Sequence, residues 1–171
     1  ILIDGQDIAQ VSISSLRQAI GGVQQDPFLF TAAVDHNVAY ADPSAGMAQI
    51  VQASTDAQIH SFIEERPKHY QTLVGEDGVS LSGGQKQRIS IARGTLTDAP
   101  ILIFDDATAA IDAGTEQYIR RALKERAGTH TTIIISHRLV SMMHADEILF
   151  LDEGRIVERG THKQLLALRE R

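Results

Sequence analysis

The sequence predicts an α/β fold, a parallel sheet carrying helices and a helical insertion, and three observations carry that prediction. Two apolar runs of strand length, Ile101–Phe104 and Thr131–Ile135, do not alternate with polar residues. Strands of a parallel sheet covered by helices on both faces read that way. Between them, from about Thr115 to Ala127, lies a stretch of helical spacing, and strand, helix, strand in that order implies a right-handed parallel crossover. A longer helical pattern, Ser44 to Arg66, interrupts the chain upstream and supplies the insertion.

The elements follow in order. Ile1 to Ile3 alternates like a strand and runs into an Asp4-Gly5 turn; Ser15 to Ala19 reads as a short helix. Ile20 to Phe30 begins as a strand that should break at Pro27. In Ser44–Arg66, Met47, Ile50 and Val51 share one face and Ile59 and Phe62 another, until Pro67 stops the helix. Gly75 to Ser80 is a glycine-punctuated loop. Gly84 to Leu96 then reads as a helix with Ile89, Ala92 and Leu96 at helical spacing. Near the end, EILFLDEGRIVERG alternates on either side of Asp152-Glu153-Gly154, a hairpin signal. Thr161 and Gln164 form a T-x-x-Q capping box for a last helix carrying Leu165, Leu166 and Leu168.

Composition narrows the function. The 171 residues suffice for one domain with a core, and an apolar share of 43% is ordinary for a globular chain. A formal net charge of -6 without a basic tract speaks against nucleic acid as partner, because neutralising phosphates needs a basic surface. The chain has no cysteine, which removes disulfides and thiolate metal sites and suits a reducing compartment. No apolar run nears the roughly 18 to 20 residues that span a bilayer, so these residues taken alone are expected to be soluble. The abrupt start at Ile1, rather than Met, leads us to expect a piece of a longer protein.

Three stretches carry chemistry. In ILIFDD, the first apolar run delivers Asp105 and Asp106 to the carboxyl end of a strand, where open parallel sheets bind ligands. Acids so placed suit Mg²⁺, which takes one or two carboxylates plus water and phosphate oxygens; the ordinary alternative is a turn cap and a backbone hydrogen bond. The second run ends likewise, in Ser136-His137. His36, His60, His69, His130, His144 and His162 show no metal-ligand spacing, and His137 differs from them by position alone. In LSGGQKQR, Leu81 to Arg88, Ser82, Gly83 and Gly84 lead into a helix at the positive end of its dipole, an anion site if it is more than an ordinary serine cap.

Taken in order, LSGGQKQR, ILIFDDATAAID and IIISHRL resemble the signature, the Walker B strand with its D-loop, and the H-loop of the nucleotide-binding domain of an ATP-binding cassette (ABC) transporter. VQQDPFLF resembles the Q-loop, with Gln25 as its glutamine. VGEDGVSLSGGQ resembles the stretch ahead of the signature in exporters, with Glu76 as the acid facing the transmembrane coupling helices. The resemblance covers essentially the whole chain and implies a P-loop NTPase (RecA-like) core, about 1–30 and 97–171, with a helical signature subdomain over about 31–96. It implies ATP and Mg²⁺ as ligands and a second nucleotide-binding domain as partner, in a homodimer or heterodimer. A transmembrane domain completes the expected transporter, placing this part at the cytoplasmic face of the membrane. By position, the resemblance implies that Asp105 holds Mg²⁺ through water and that Gln25 approaches metal and γ-phosphate. It implies that His137 contacts the γ-phosphate, that Ser82, Gly83, Gly84 and Gln85 grip ATP bound on the partner, and that Asp112 lines the dimer seam.

Two departures qualify these expectations. The Walker A loop, G-x-x-x-x-G-K-[ST], is absent from the 171 residues, as is the adenine-stacking aromatic, so the N-terminal part of the domain is expected to be missing here and tight ATP binding with it. The strand feeding that loop lies mid-sheet in the family, so its loss should expose strand edges. Second, Asp106 stands where the family's catalytic base is Glu, and Asp is shorter than Glu by one C–C bond of about 1.5 Å. An intact signature beside a weakened base resembles one half of a heterodimeric exporter with a degenerate site. A nucleotide-gated regulatory half with little hydrolysis is the alternative from another class. A soluble ABC ATPase acting on DNA or ribosomes would call for a coiled coil or basic arms, and neither is present.

Overall fold

A computed structural model describes residues 1–75, 79–125 and 130–168. The chain forms two compact units, Ile1–Ile135 and Ser136–Arg171. The first opens with an antiparallel hairpin, β1 (Leu2–Ile3) and β2 (Gln6–Asp7). Its turn is Asp4-Gly5, both at positive φ, as a tight two-residue hairpin turn requires. Helix α1 (Ile13–Gln18) starts at Ser12, whose hydroxyl accepts the Ser15 N–H at 3.1 Å.

Three parallel strands make the central sheet, in the order β3 (Ile20–Val23), β6 (Ile101–Asp105), β7 (Thr131–Ile135). Helix α6 (Ala113–Glu125) joins β6 to β7, the strand–helix–strand unit the sequence predicts. Strand β3 ends at Val23, opposite Phe104, rather than at Pro27; its pairing with β6 has run out before the proline is reached. The two apolar runs differ from their expected burial. In β6 only Leu102 and Phe104 are buried, at 2% and 3% exposure, whereas Ile133, Ile134 and Ile135 of β7 stand 46%, 37% and 50% exposed. Strand β7 lies at one edge of the sheet, with no further strand beyond it among the described residues.

Between β3 and β6 lies the helical insertion. A short antiparallel pair, β4 (Ala32–Ala33) with β5 (Leu73–Val74), brackets α2 (Val34–Val38), α3 (Met47–Asp56) and α4 (His60–Glu64). The single helix expected over Ser44–Arg66 is thus two, broken where Gln58 takes φ +57. That corner lets Ile59 and Ile63 turn inward beside Ile50 and Ala53, all four at most 4% exposed. Helix α5 (Gly83–Leu96) packs on this group and on β3. A Cβ at Gly94 would lie 2.5 Å from Val23 Cγ2, and one at Gly21 2.9 Å from the Gly94 oxygen, so helix and strand meet glycine to glycine.

The second unit holds α7 (Leu139–Met142), the hairpin β8 (Ile148–Asp152) and β9 (Arg155–Gly160), and α8 (His162–Leu168). The hairpin turns at Glu153-Gly154, both at positive φ, as its Asp-Glu-Gly signal predicts. The capping box also forms: Thr161 Oγ1 accepts the Gln164 N–H at 3.3 Å, and Gln164 Oε1 accepts the Thr161 N–H at 2.8 Å.

Candidate functional site

The serine-diglycine turn begins α5. Ser82 Oγ accepts the Gln85 N–H at 3.3 Å and Gln85 Oε1 accepts the Ser82 N–H at 2.9 Å, a closed capping box. Gly83 and Gly84 are the first two helical residues, so their N–H groups have no carbonyl one turn back within the helix. The glycines differ in purpose. A Cβ on Gly84 would sit 2.8 Å from the Ala110 carbonyl oxygen, so this position needs glycine for packing. A Cβ on Gly83 would make an ordinary 3.6 Å contact with Ala110 Cβ. Nothing among the described residues demands glycine at 83, and its bare backbone suits close approach by an anion.

Asp105 closes β6 with an exposed side chain, opposite Ile135. Asp106 leaves the strand at φ +42, a left-handed conformation that Asp tolerates better than most residues, and its N–H donates to the Ile135 carbonyl at 2.8 Å. Its Oδ1 is buried without a hydrogen-bond partner among the described residues. The chain then turns through Asp106 O to Ala109 N–H and Thr108 O to Ile111 N–H, held down by buried Ala107 and Ile111. At the loop's end the Asp112 carboxylate accepts the Thr115 N–H at 2.9 Å, capping α6. Hydrogen bonds from the Thr115 backbone and hydroxyl hold that carboxyl below the usual range. Asp112 in turn favours the cation of Arg88, against the burial that pushes the Arg88 pKa down.

Gln25 lies two residues past β3, exposed, and its carbonyl accepts a hydrogen bond from Gln87 Nε2 at 3.2 Å. The same amide's Oε1 accepts the Ala110 N–H at 3.0 Å. Arg93 holds the next stretch, donating to Phe28 O at 2.9 Å, Asn37 O at 2.8 Å and Asn37 Oδ1 at 3.1 Å. Its guanidinium lies 5.6 Å from the centres of the Phe30 and Tyr40 rings. Arg88 donates to the Gln58 carbonyl at 2.7 Å, pinning the α3–α4 corner. Segments carrying Gln25, the Ser82–Gln85 turn and the Asp105–Asp112 loop are thereby joined through one helix.

His137 belongs to the second unit, exposed and two residues past the end of β7 in sequence; next to it Ser136 Oγ accepts the Arg138 N–H at 3.0 Å. Glu76 lies outside the described residues. Among those residues no three His, Cys, Asp or Glu side chains form a metal cluster. Mg²⁺ asks for less, one or two carboxylates, and the exposed Asp105 at the end of β6 is one such ligand. The sequence reading missed Gln87, Arg88 and Arg93. Their only signal is that polar side chains interleave with Ile89, Ile91 and Ala92 on a helix buried on more than one side.

The chain is similar to known proteins over most of its length. The family model described as ABC transporter matches residues 1–109. An ABC transporter ATP-binding protein of Bacillus subtilis is 49% identical over 97% of this chain and 28% of its own length. An ATM1-type heavy metal exporter of Novosphingobium aromaticivorans is 48% identical over 97% of this chain and 27% of its own. The structure of a bacterial Atm1-family ABC exporter with ATP bound superposes with a TM-score of 0.94 at 47% identity, covering 99% of this chain and 30% of that one. The chain thus spans less than a third of the length of these relatives.

Proposed function

The chain belongs to the ABC transporter family, and from that premise we propose that it serves in the ATP-driven motor of an exporter, closing on ATP with a second nucleotide-binding domain. The observation that carries the reading is the packing of Gly84 onto Ala110 together with the Gln87 bridge to Gln25. Three motif segments are held as one body, as a site shared between two domains requires. Ser82, Gly83, Gly84 and Gln85 offer hydroxyl and helix-end N–H groups to a triphosphate held on the partner. Asp105 is the residue that would hold Mg²⁺, which when bound neutralises phosphate charge. By their positions in the sequence, Gln25 and His137 are the residues that would approach the γ-phosphate, and Asp112 the one that would line the seam between the domains.

The Walker A loop is not among these residues, and the motor proposed here is that of the full-length protein. In that protein the Gln25 and Glu76 regions meet the coupling helices of a transmembrane domain, at the cytoplasmic face of the membrane. No helix among the described residues is long and apolar enough to cross a membrane itself. About 31–96 forms the signature subdomain, and 1–30 with 97–171 the core portion.

A second reading, a degenerate half that gates on ATP with little hydrolysis, is favoured by Asp106. Its carboxylate is short, one oxygen is buried, and its backbone is fixed in a left-handed turn. Both readings require ATP-driven association, so Ser82→Arg in the full-length protein should abolish ATP-dependent dimer closure and lower turnover. Closure unaffected by that change would refute the placement of ATP at this turn.

A further inference from the structure

Gln87 is 3% exposed, and both ends of its amide are used on segments remote in sequence. The Gln25 carbonyl can only accept and the Ala110 N–H can only donate, so the amide's orientation is fixed by chemistry. Filling this space with an apolar side chain would cost less desolvation but would leave the Gln25 carbonyl and Ala110 N–H without these partners. A buried polar link with both ends satisfied instead specifies one arrangement of the pieces it joins. Those pieces carry the chemistry. The Gln25 peptide sets where its own side chain starts; Ala110 lies four residues past Asp106, and its carbonyl faces Gly84.

We propose that Gln87 is a positioning residue for ATP hydrolysis, holding the Gln25 peptide and the Asp106–Asp112 loop in register with the phosphate-gripping turn. This rests on the function proposed above. Gln87 lies inside α5, away from the turn's exposed face, so its loss misplaces the reacting side of the site while leaving the grip on phosphate in place. A displacement near 1 Å at a reacting centre costs about a hundredfold in rate.

The test uses the full-length transporter in lipid nanodiscs, with Gln87→Leu, which removes both bonds. Gln87→Glu keeps an acceptor for Ala110 but sets an oxygen against the Gln25 carbonyl. Both should lower kcat by about tenfold to a hundredfold with KM for ATP nearly constant. Hydrogen exchange should quicken over 24–28 and 107–112 but not over 82–86. Unchanged kcat in either folded variant, or a fall in kcat matched by KM and by general loss of stability, overturns the proposal. If Gln87→Leu fails to fold, Gln87→Glu decides. Should the wild type hydrolyse no ATP, the motor reading fails in favour of the gating one, and the exchange pattern still judges Gln87: unchanged protection in both loops overturns its role.

Discussion

Replacing Asp106 by Glu sets catalysis against stability with opposite signs. The added methylene extends the carboxylate by about 1.5 Å along the chain. If reach is what limits Asp106, restoring about 1 Å is worth up to a hundredfold in turnover, or roughly 2.7 kcal/mol of barrier. The backbone resists the change. Asp106 sits at φ +42, where Asp is tolerated and Glu is not favoured, so stability should fall by up to about 1 kcal/mol. The Oδ1, buried and without a hydrogen-bond partner among the described residues, is closed to solvent. The assay is the initial rate of ATP hydrolysis at saturating ATP, in full-length protein paired with a partner whose own catalytic acid is changed to its amide. Thermal unfolding is read in parallel. Turnover should rise while the melting temperature drops slightly. A rate that stays level or falls refutes the reach argument, and an Asp106→Asn variant devoid of all activity would show that the aspartate is already the working base.

Arg93→Lys cannot reproduce three hydrogen bonds from one planar fork, so at least one carbonyl of Phe28 or Asn37 loses its donor; about 1 to 3 kcal/mol should be lost, read as a lower urea midpoint at unchanged slope. Gly84→Ala puts a methyl 2.8 Å from a backbone oxygen, and overpacking of about 1 to 3 kcal/mol outweighs a helix-propensity gain of up to about 1 kcal/mol. Calorimetry should show a net drop in melting temperature, and a rise would contradict the packing. Asp112 is held below its ordinary value in the folded chain, so its contribution is present above the unfolded carboxylate pKa of about 3.9 and is lost as pH falls through the lower folded value. An asparagine in its place would cap without titrating: acid unfolding curves of Asp112→Asn should be flatter below about pH 4 and coincide with wild type near neutrality.

Local signals in the sequence translated directly into structure. Asp4-Gly5 and Glu153-Gly154 turn their hairpins, and Thr161 with Gln164 caps α8, because each outcome is decided within four residues. The break between α3 and α4 escaped detection because no proline or glycine marks it. It is imposed by tertiary packing that turns Ile59 inward at the cost of a left-handed Gln58. The Asp105–Asp106 pair and the Ser82 turn were legible as chemistry because their residue types are diagnostic at a strand end and a helix start. The bonds that hold them together were not: no local signal sets Gln87 and Arg93 apart from other polar helix residues, because the carbonyls they bind lie far off in sequence.

The exposed isoleucines of β7 have a physical consequence for how this sequence stores information. A strand apolar on both faces is written for a sheet covered on both sides. Strand β6 meets that condition in part, through Leu102 and Phe104 in the core, while β7 does not, with Ile133 and Ile135 about half exposed. An apolar edge strand carrying unpaired backbone groups is an association hazard unless something pairs with it. The relatives, more than three times as long, provide a setting in which such a strand need not be an edge. The buried polar links in α5, by contrast, are complete within these residues. Order in the signature helix is therefore set locally, whereas order along β7 depends on what adjoins it, and the loop after Asp106, bonded to Ile135 at one end and to Gln87 at the other, feels both.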